Sequence, residues 1–208
     1  NGQGDEASAE IVCFAHSLKL EVKIGSRQRR DPAKKNSIIL ACAIPRKAKF
    51  ETIIEKCTEL NVDEIVPLKT KRTEIHLNGE QAAKKLSRYR TVAINAAKQS
   101  GRNNLPLIHP VTEFSKSLQD LSTQDAAFIP CLTGDRKNIL DAFKPKEGQK
   151  RVVFFIGPEG DFTPAEIALA QDAGCVPISL GPTILKGDTA AISVVALANI
   201  FLSQGRHS

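Results

Sequence analysis

An open, mostly parallel α/β sheet is the fold class that this 208-residue sequence predicts, and three observations predict it. Short strand-like runs, Ile38 to Ile44, Glu64 to Leu68, Ala126 to Leu132, Val152 to Ile156 and Val176 to Leu180, recur along the chain. Segments of helical length and periodicity separate them, as crossovers between parallel strands require. Apolar residues make up 41% of the chain against 25% charged, so a core can be buried and disordered or collagen-like classes are excluded.

The first 36 residues are Gly-rich, then polar and basic. Within them Leu18 to Ile24 alternates like a half-buried strand, and Gly25 to Asn36 reads as a linker. Ser37 opens the α/β part. Phe50, Ile53, Ile54, Cys57 and Leu60 recur at helical spacing, with Asn61 placed to cap the end. A second helix is expected from about Gln81 to Ser100, stopped by Gly101, and a short one around Lys137 to Phe143. Thr163-Pro-Ala-Glu166 is a capping box with Pro at the first helical position, and the helix it opens should end near Gly174. Asp188 or Thr189 starts the last helix, which is apolar on almost every face and should be buried against something.

The most apolar stretch, Ala190 to Leu202, is broken by Ser193 and Asn199 and is too short to cross a bilayer, so a soluble protein is expected. The chain lacks both an initial Met and a secretory leader pattern, and it reads as a fragment whose natural start lies upstream. Cys13, Cys42, Cys57, Cys131 and Cys175 are odd in number and form no C-x-x-C pair or metal-ligand spacing. Reduced, mostly buried thiols, a reducing compartment such as the cytoplasm or an organelle, and no metal are expected.

The net charge of +6 is localised. From Lys69 to Arg102 the cations Lys69, Lys71, Arg72, Lys84, Lys85, Arg88, Arg90, Lys98 and Arg102 face only Glu74 and Glu80, and acidic partners at i+4 look absent. A polyanion would find a footprint there, with a solvated helix face as the alternative. Aromatic residues are 5% of the chain, which disfavours stacking on successive single-stranded bases and leaves phosphate and shape contacts.

Chemistry is expected where two strands end in Gly-Pro: Ile156-Gly-Pro-Glu-Gly-Asp-Phe162 and Leu180-Gly-Pro-Thr-Ile-Leu-Lys-Gly-Asp-Thr-Ala190. Gly allows close backbone approach and Pro stiffens the exit, so the pair can wall a rigid cleft at the edge where such sheets bind ligands. Tight strand-to-helix turns are the plainer alternative. Neither loop is a G-x-G-x-x-G or Walker-type cradle, and G-x-S-x-G and H-E-x-x-H are absent.

With Ala43-Ile-Pro-Arg-Lys, Ile54-Glu-Lys-Cys-Thr-Glu-Leu-Asn-Val-Asp-Glu-Ile-Val-Pro67 and Ala96-Ala-Lys-Gln-Ser-Gly-Arg102, these loops resemble the RsmE family, small-subunit ribosomal RNA (uridine-N3)-methyltransferases of the SPOUT class. The similarity runs from about Ser37 to Phe201. It implies a SPOUT-type sheet over 37–208 with a C-terminal trefoil knot, an S-adenosylmethionine pocket and a homodimer that completes each active site. Residues 1–36 then resemble the closing part of a PUA-like, RNA-binding β-barrel whose opening strands are missing. Carried over by motif, Leu132, Gly157, Pro158, Glu159 and Gly160 would line the cofactor pocket together with Leu180, Gly181, Ile184 and Leu185. RNA contacts would come from Lys69, Lys71, Arg72, Lys84, Lys85, Arg88 and Arg102.

The family pattern G-P-R-I-L-R-x-E-T-A is altered here at Thr183, Lys186 and Asp188, A-E-Q-S-x-R at Lys98, and Gly-Gly-Phe reads Gly160-Asp161-Phe162. A uridine N3 becomes nucleophilic only as its proton leaves. Arg72, Arg102 and Lys186 are the candidates for holding phosphate or the uracil anion, with Asp188 or Glu159 accepting the proton; Asp188 also sits where an N-cap belongs. A SPOUT enzyme acting on a ribose 2′-hydroxyl or another base of tRNA or rRNA, and a catalytically silent RNA-binding ribosome assembly factor, are the alternatives.

Overall fold

The computed structural model describes residues 2–15, 19–29, 36–45, 50–73, 79–144 and 151–204. Strands β1 (Asp5–Ala15) and β2 (Lys19–Arg29) form an antiparallel two-stranded ribbon with register shifts after Ala7 and Ile11. The ribbon is tied to the rest of the chain near its start, where Gly4 N–H donates to Asn103 O (3.1 Å) and Leu105 N–H to Gly2 O (3.0 Å). Two expectations change here. Asp5–Ala15 is a strand, and β2 runs through Gly25 to Arg29, so Gly25 to Arg29 is strand and not the linker expected there; residues 30–35 lie outside the described part. Cross-strand pairing satisfies this backbone without the continuous apolar pattern by which strands are found in a sequence.

The remaining elements are β3 (Ser37–Ala43), α1 (Phe50–Glu59), β4 (Glu64–Lys69), α2 (Gly79–Gln99), β5 (Leu107–Ile108), β6 (Thr112–Glu113), α3 (Phe114–Gln119) and β7 (Asp125–Pro130). They continue with β8 (Lys137–Asn138), α4 (Ile139–Ala142), β9 (Arg151–Ile156), α5 (Pro164–Asp172), β10 (Val176–Ser179) and α6 (Gly187–Gln204). The sheet order is β5-β4-β3-β9-β7-β10-β8, with β6 also on β4, and every pairing is parallel. Strand β9 therefore lies between β3 and β7, and β10 between β7 and β8, each inserted between strands that precede it in the chain.

The two-residue period of the strands sorts the core into two layers. Ile38, Leu40 and Cys42 of β3 and Val152, Phe154 and Ile156 of β9 pack with α1, α2, α4 and α6. Ile39, Ala41, Val153 and Phe155 face the other way, against Phe114 of α3, Phe162 and Ala170 of α5. Helix ends follow the expected chemistry: Asn61 takes φ +68°, Gly101 +67° and Gly174 +89°, and Thr163 and Glu166 make both bonds of the capping box. Helix α6 buries Ala191, Val194, Val195 and Ala198 but leaves Ile200 and Phe201 exposed, so its burial is one-sided within a single chain. Among the described residues no helix is long and apolar enough to cross a membrane, and no cluster of metal-ligating side chains is found.

Candidate cofactor slot at the strand ends

In a parallel sheet all carboxyl ends share one rim, so the loops after β4, β3, β9, β7 and β10 lie side by side in that order. The β9 loop is the most tightly built. A Cβ on Gly157 would stand 3.1 Å from the Phe162 ring, so glycine lets the chain fold back closely on that ring. Phe162 is itself buried against Phe114, with ring centroids 4.8 Å apart. Asp161 N–H donates to Pro158 O at 2.9 Å, which closes the turn, and Asp161 sits in the left-handed region at φ +61°.

Neighbouring loops are fastened to this one. Leu132 N–H, after β7, donates to Asp161 Oδ2 at 2.9 Å. The Arg72 guanidinium, after β4, donates to the carbonyl oxygen of Gly160 and reaches that of Asp161 at 3.4 Å. Lys71 N–H donates to Oε1 of the buried Glu166 at 2.9 Å, so the capping box also anchors the β4 loop. A Cβ at Gly187 would lie 3.4 Å from Gly157 O, which sets the start of α6 against the β9 loop.

Gly181, after β10, is different: its φ is +133° and no heavy atom lies within 4 Å of where a Cβ would project. At the same rim two apolar side chains are claimed by no core, Ile184 at 77% and Leu132 at 42% exposure. Leu180 and Leu185 are half-buried there, and Pro158 is buried beneath the β9 loop. A main-chain wall with apolar flanks suits a planar, hydrogen-bonding heterocycle carrying a polar tail.

Two carboxylates stand at this rim. Burial above all, then Cys57 and the charges of Asp188 and Glu159, push the Cys42 thiol at the end of β3 well above its usual range. Asp188 Oδ1 accepts from Thr189 N–H at 2.8 Å inside the first turn of α6. Asp188 thus lies one position within the helix, and Gly187 begins it. Lys186 is exposed beside it.

A family profile described as an RNA methyltransferase domain matches residues 32–199. Ribosomal RNA small subunit methyltransferase E of Bacillus subtilis is 32% identical over 91% of this chain and 75% of its own. The protein of that name from Synechocystis sp. is 31% identical over 97% of this chain. The chain belongs to this RNA methyltransferase family. It spans 65% of the Synechocystis protein's length. A crystal structure of the small subunit methyltransferase E of Neisseria gonorrhoeae bound to S-adenosyl methionine superposes with a TM-score of 0.85 at 26% identity, covering 96% of this chain and 80% of that one.

Within this member of the family the rim brings together Arg72, Leu132, the 157–160 turn, the 180–186 loop and Asp188, but not Arg102. Arg102 follows α2 and its side chain is 8% exposed, donating to Thr58 O at 3.0 Å and lying 3.9 Å from Asp63 Oδ1. Those partners are at the C-terminal end of α1 and the start of β4, the opposite rim. Arg102 in one chain therefore cannot share a reacting base with Arg72 of the same chain; it holds the sheet's amino end.

The basic footprint is also more paired than the spacing suggested. Lys84 meets Glu80, four residues before it, at 2.7 Å; Arg88 meets Glu51 of α1 at 2.9 Å; Lys69 meets Glu113 at 2.7 Å. Lys71 is exposed and Lys85 half-buried, while Arg46, Lys47 and Glu74 lie outside the described residues. Sequence reasoning missed the fastening roles of Asp161 and of the main-chain bonds of Arg72. The departure at Asp161 was the available signal.

Proposed function

We propose that this chain transfers a methyl group from S-adenosylmethionine to N3 of a uridine in small-subunit ribosomal RNA. The observation that carries it is the rim at Gly181: a φ of +133° with open space where a side chain would project, at the carboxyl end of β10 where such sheets bind ligands, with Ile184 and Leu132 exposed at the same rim. The residues present fit the cofactor. Gly157, Pro158, Glu159 and Gly160 would wall one side, and Leu180, Gly181, Ile184 and Leu185 the other, with Leu132 at the end. When bound, its sulfonium supplies an electrophilic methyl group and most of the driving force.

What remains for the protein is alignment, water exclusion and removal of one proton. Asp188 and Glu159 are the carboxylates placed to accept it. Lys186, exposed beside Asp188, offers positive charge to the uracil anion that forms. Arg72 holds the β9 loop through its carbonyls and is a positioning residue here. The RNA is met by Lys71 and Lys85 first, and by Lys69, Lys84 and Arg88 once their carboxylate partners yield.

Residues 1–36 form the RNA-docking part and 37–208 the methyltransferase domain. Insertion of β9 and β10 between earlier strands supports a knotted C-terminal segment, and the exposed Ile200 and Phe201 of α6 support a homodimer across that helix. The cytoplasm, where ribosomes are assembled, is the place of action.

Calorimetric titration with S-adenosylmethionine, followed by nucleoside mass spectrometry of small subunits lacking the modification, tests the reading. Binding and new 3-methyluridine are expected. Binding with a 2′-O-methyl or other product would assign a different SPOUT reaction, and no binding would leave a silent assembly factor.

A further inference from the structure

The methyl-donor slot stands on three loops from three strands, and one side chain joins two of them. Asp161 is in the left-handed region, a conformation that Asp and Asn tolerate and Gly adopts freely. Its carboxylate accepts from main-chain N–H groups of two loops: Oδ2 from Leu132 after β7, at 2.9 Å, and Oδ1 from Phe162, the next residue of its own loop after β9, at 2.8 Å. Its own carbonyl and that of Gly160 meet the guanidinium of Arg72 after β4. In sequence this is the position where the family pattern Gly-Gly-Phe reads Gly160-Asp161-Phe162.

We propose that Asp161 is a positioning residue and an affinity determinant of the cofactor slot, a side-chain clasp that this chain uses to fix the β7 loop against the β9 loop. Resting on the function proposed above, it assigns Leu132 a definite part. The amide of Leu132 is taken by Asp161, so Leu132 meets the cofactor with its exposed side chain and leaves main-chain recognition to the β10 loop. Loop 131–136 is otherwise held at its first residue, where Cys131 N–H donates to Ile178 O of β10 at 3.2 Å, and within itself, where Arg136 Nη1 donates to Cys131 O at 2.7 Å. The charge-assisted bond from Leu132 is the described hydrogen bond that carries this loop onto the β9 turn.

Asp161→Gly removes the clasp and also relieves the backbone, so folding is not at risk. Asp161→Asn keeps one acceptor oxygen for two donors and should fall between. Amide hydrogen exchange on the protein without cofactor reads the clasp directly. In the parent the Leu132 amide should exchange at least about tenfold more slowly than in Asp161→Gly, roughly the worth of one charge-assisted bond. Titration with S-adenosylmethionine should show about tenfold weaker binding for Asp161→Gly and about threefold for Asp161→Asn, with RNA affinity and melting temperature nearly unchanged. Equal Leu132 exchange in parent and Asp161→Gly overturns the clasp. Altered exchange with equal cofactor affinity overturns its role in the slot and leaves the methyltransferase reading standing. A parent that takes up no S-adenosylmethionine, yet shows the exchange difference, overturns that reading and the affinity role while the clasp itself stands.

Discussion

Gly181 joins a positive φ to empty space, and the two properties make separable demands on a substituent. Gly181→Ala adds one methyl group to the slot and strains the backbone by about 1–2 kcal/mol. Gly181→Val adds a β-branched side chain where the cofactor would lie, so S-adenosylmethionine affinity should fall by two orders of magnitude or more. Titration calorimetry beside a melting curve separates the two effects, and a Val variant that still binds would refute the slot. Arg102→Ala should act on stability. Its buried guanidinium joins α1 to the start of β4, and losing the bond to Thr58 O should cost about 1.5–3 kcal/mol in a urea titration. Cofactor affinity corrected for the folded fraction should stay unchanged.

Cysteine chemistry gives a pH signature at the same scale. The five cysteines are free, with Cys13 exposed and Cys42, Cys57, Cys131 and Cys175 buried. Burial pushes the thiols of Cys57 and Cys175 up to about 12 and raises those of Cys42 and Cys131. A thiol held neutral in the fold but ionised in the unfolded chain above about pH 8.5 stabilises less as pH rises. Urea midpoints should therefore be level below pH 8 and decline between pH 9 and 12. A thiol-reactive dye at pH 8 should label Cys13 rapidly and the other four only after unfolding.

At the level of elements, α2 carries the basic face, yet its cations are not equivalent. Lys84 and Arg88 already hold Glu80 and Glu51, whereas Lys85 and Arg90 show no carboxylate partner among the described residues. Removing Lys85 and Arg90 should weaken RNA binding and flatten its salt dependence by about 0.7–0.9 in log–log slope for each lost phosphate contact. Replacing Lys84 should do less, because Glu80 already competes with phosphate for its ammonium.

The contrast shows what was legible in the chain. Glu80 and Lys84 are four apart, so that pair was within reach of spacing alone, but Glu51 and Arg88 meet only because α1 packs on α2. Capping residues and buried strands were readable because their causes are local: Thr163 and Glu166 bond each other, and Phe154 and Phe155 are apolar whichever face they take. Strand β1 was not, since an exposed ribbon needs no apolar alternation. The reach of Asp161 to Leu132 joins residues 29 positions apart and has no local signature. Arg102 lies at the opposite rim because α2, which it follows, returns to the amino ends of the strands beside the end of α1, a fact of topology that a motif match does not carry.

For the whole molecule, α6 carries the test of the proposed homodimer. It buries one face on β3, β9 and α1 and leaves Ile200 exposed, with Phe201 half-exposed beside Phe143. If the proposed dimer forms across that helix, Ile200→Asp should turn a sedimenting dimer into monomer. If catalysis needs residues from both copies, turnover should fall with dissociation, while the melting temperature falls only by the loss of partner contacts.

The sheet order has one more consequence, for synthesis. Strand β9 is the middle of the seven-strand order, but it begins at Arg151, after three-quarters of the chain has been made. A nascent polypeptide leaving the ribosome therefore exposes one partial sheet, β5-β4-β3, with its β3 edge open, and an isolated β7 whose two neighbours, β9 and β10, both come later. Such open edges invite pairing with other chains, so translation arrest or truncation before residue 151 should yield aggregates where a domain with a consecutively laid sheet would yield a folded piece.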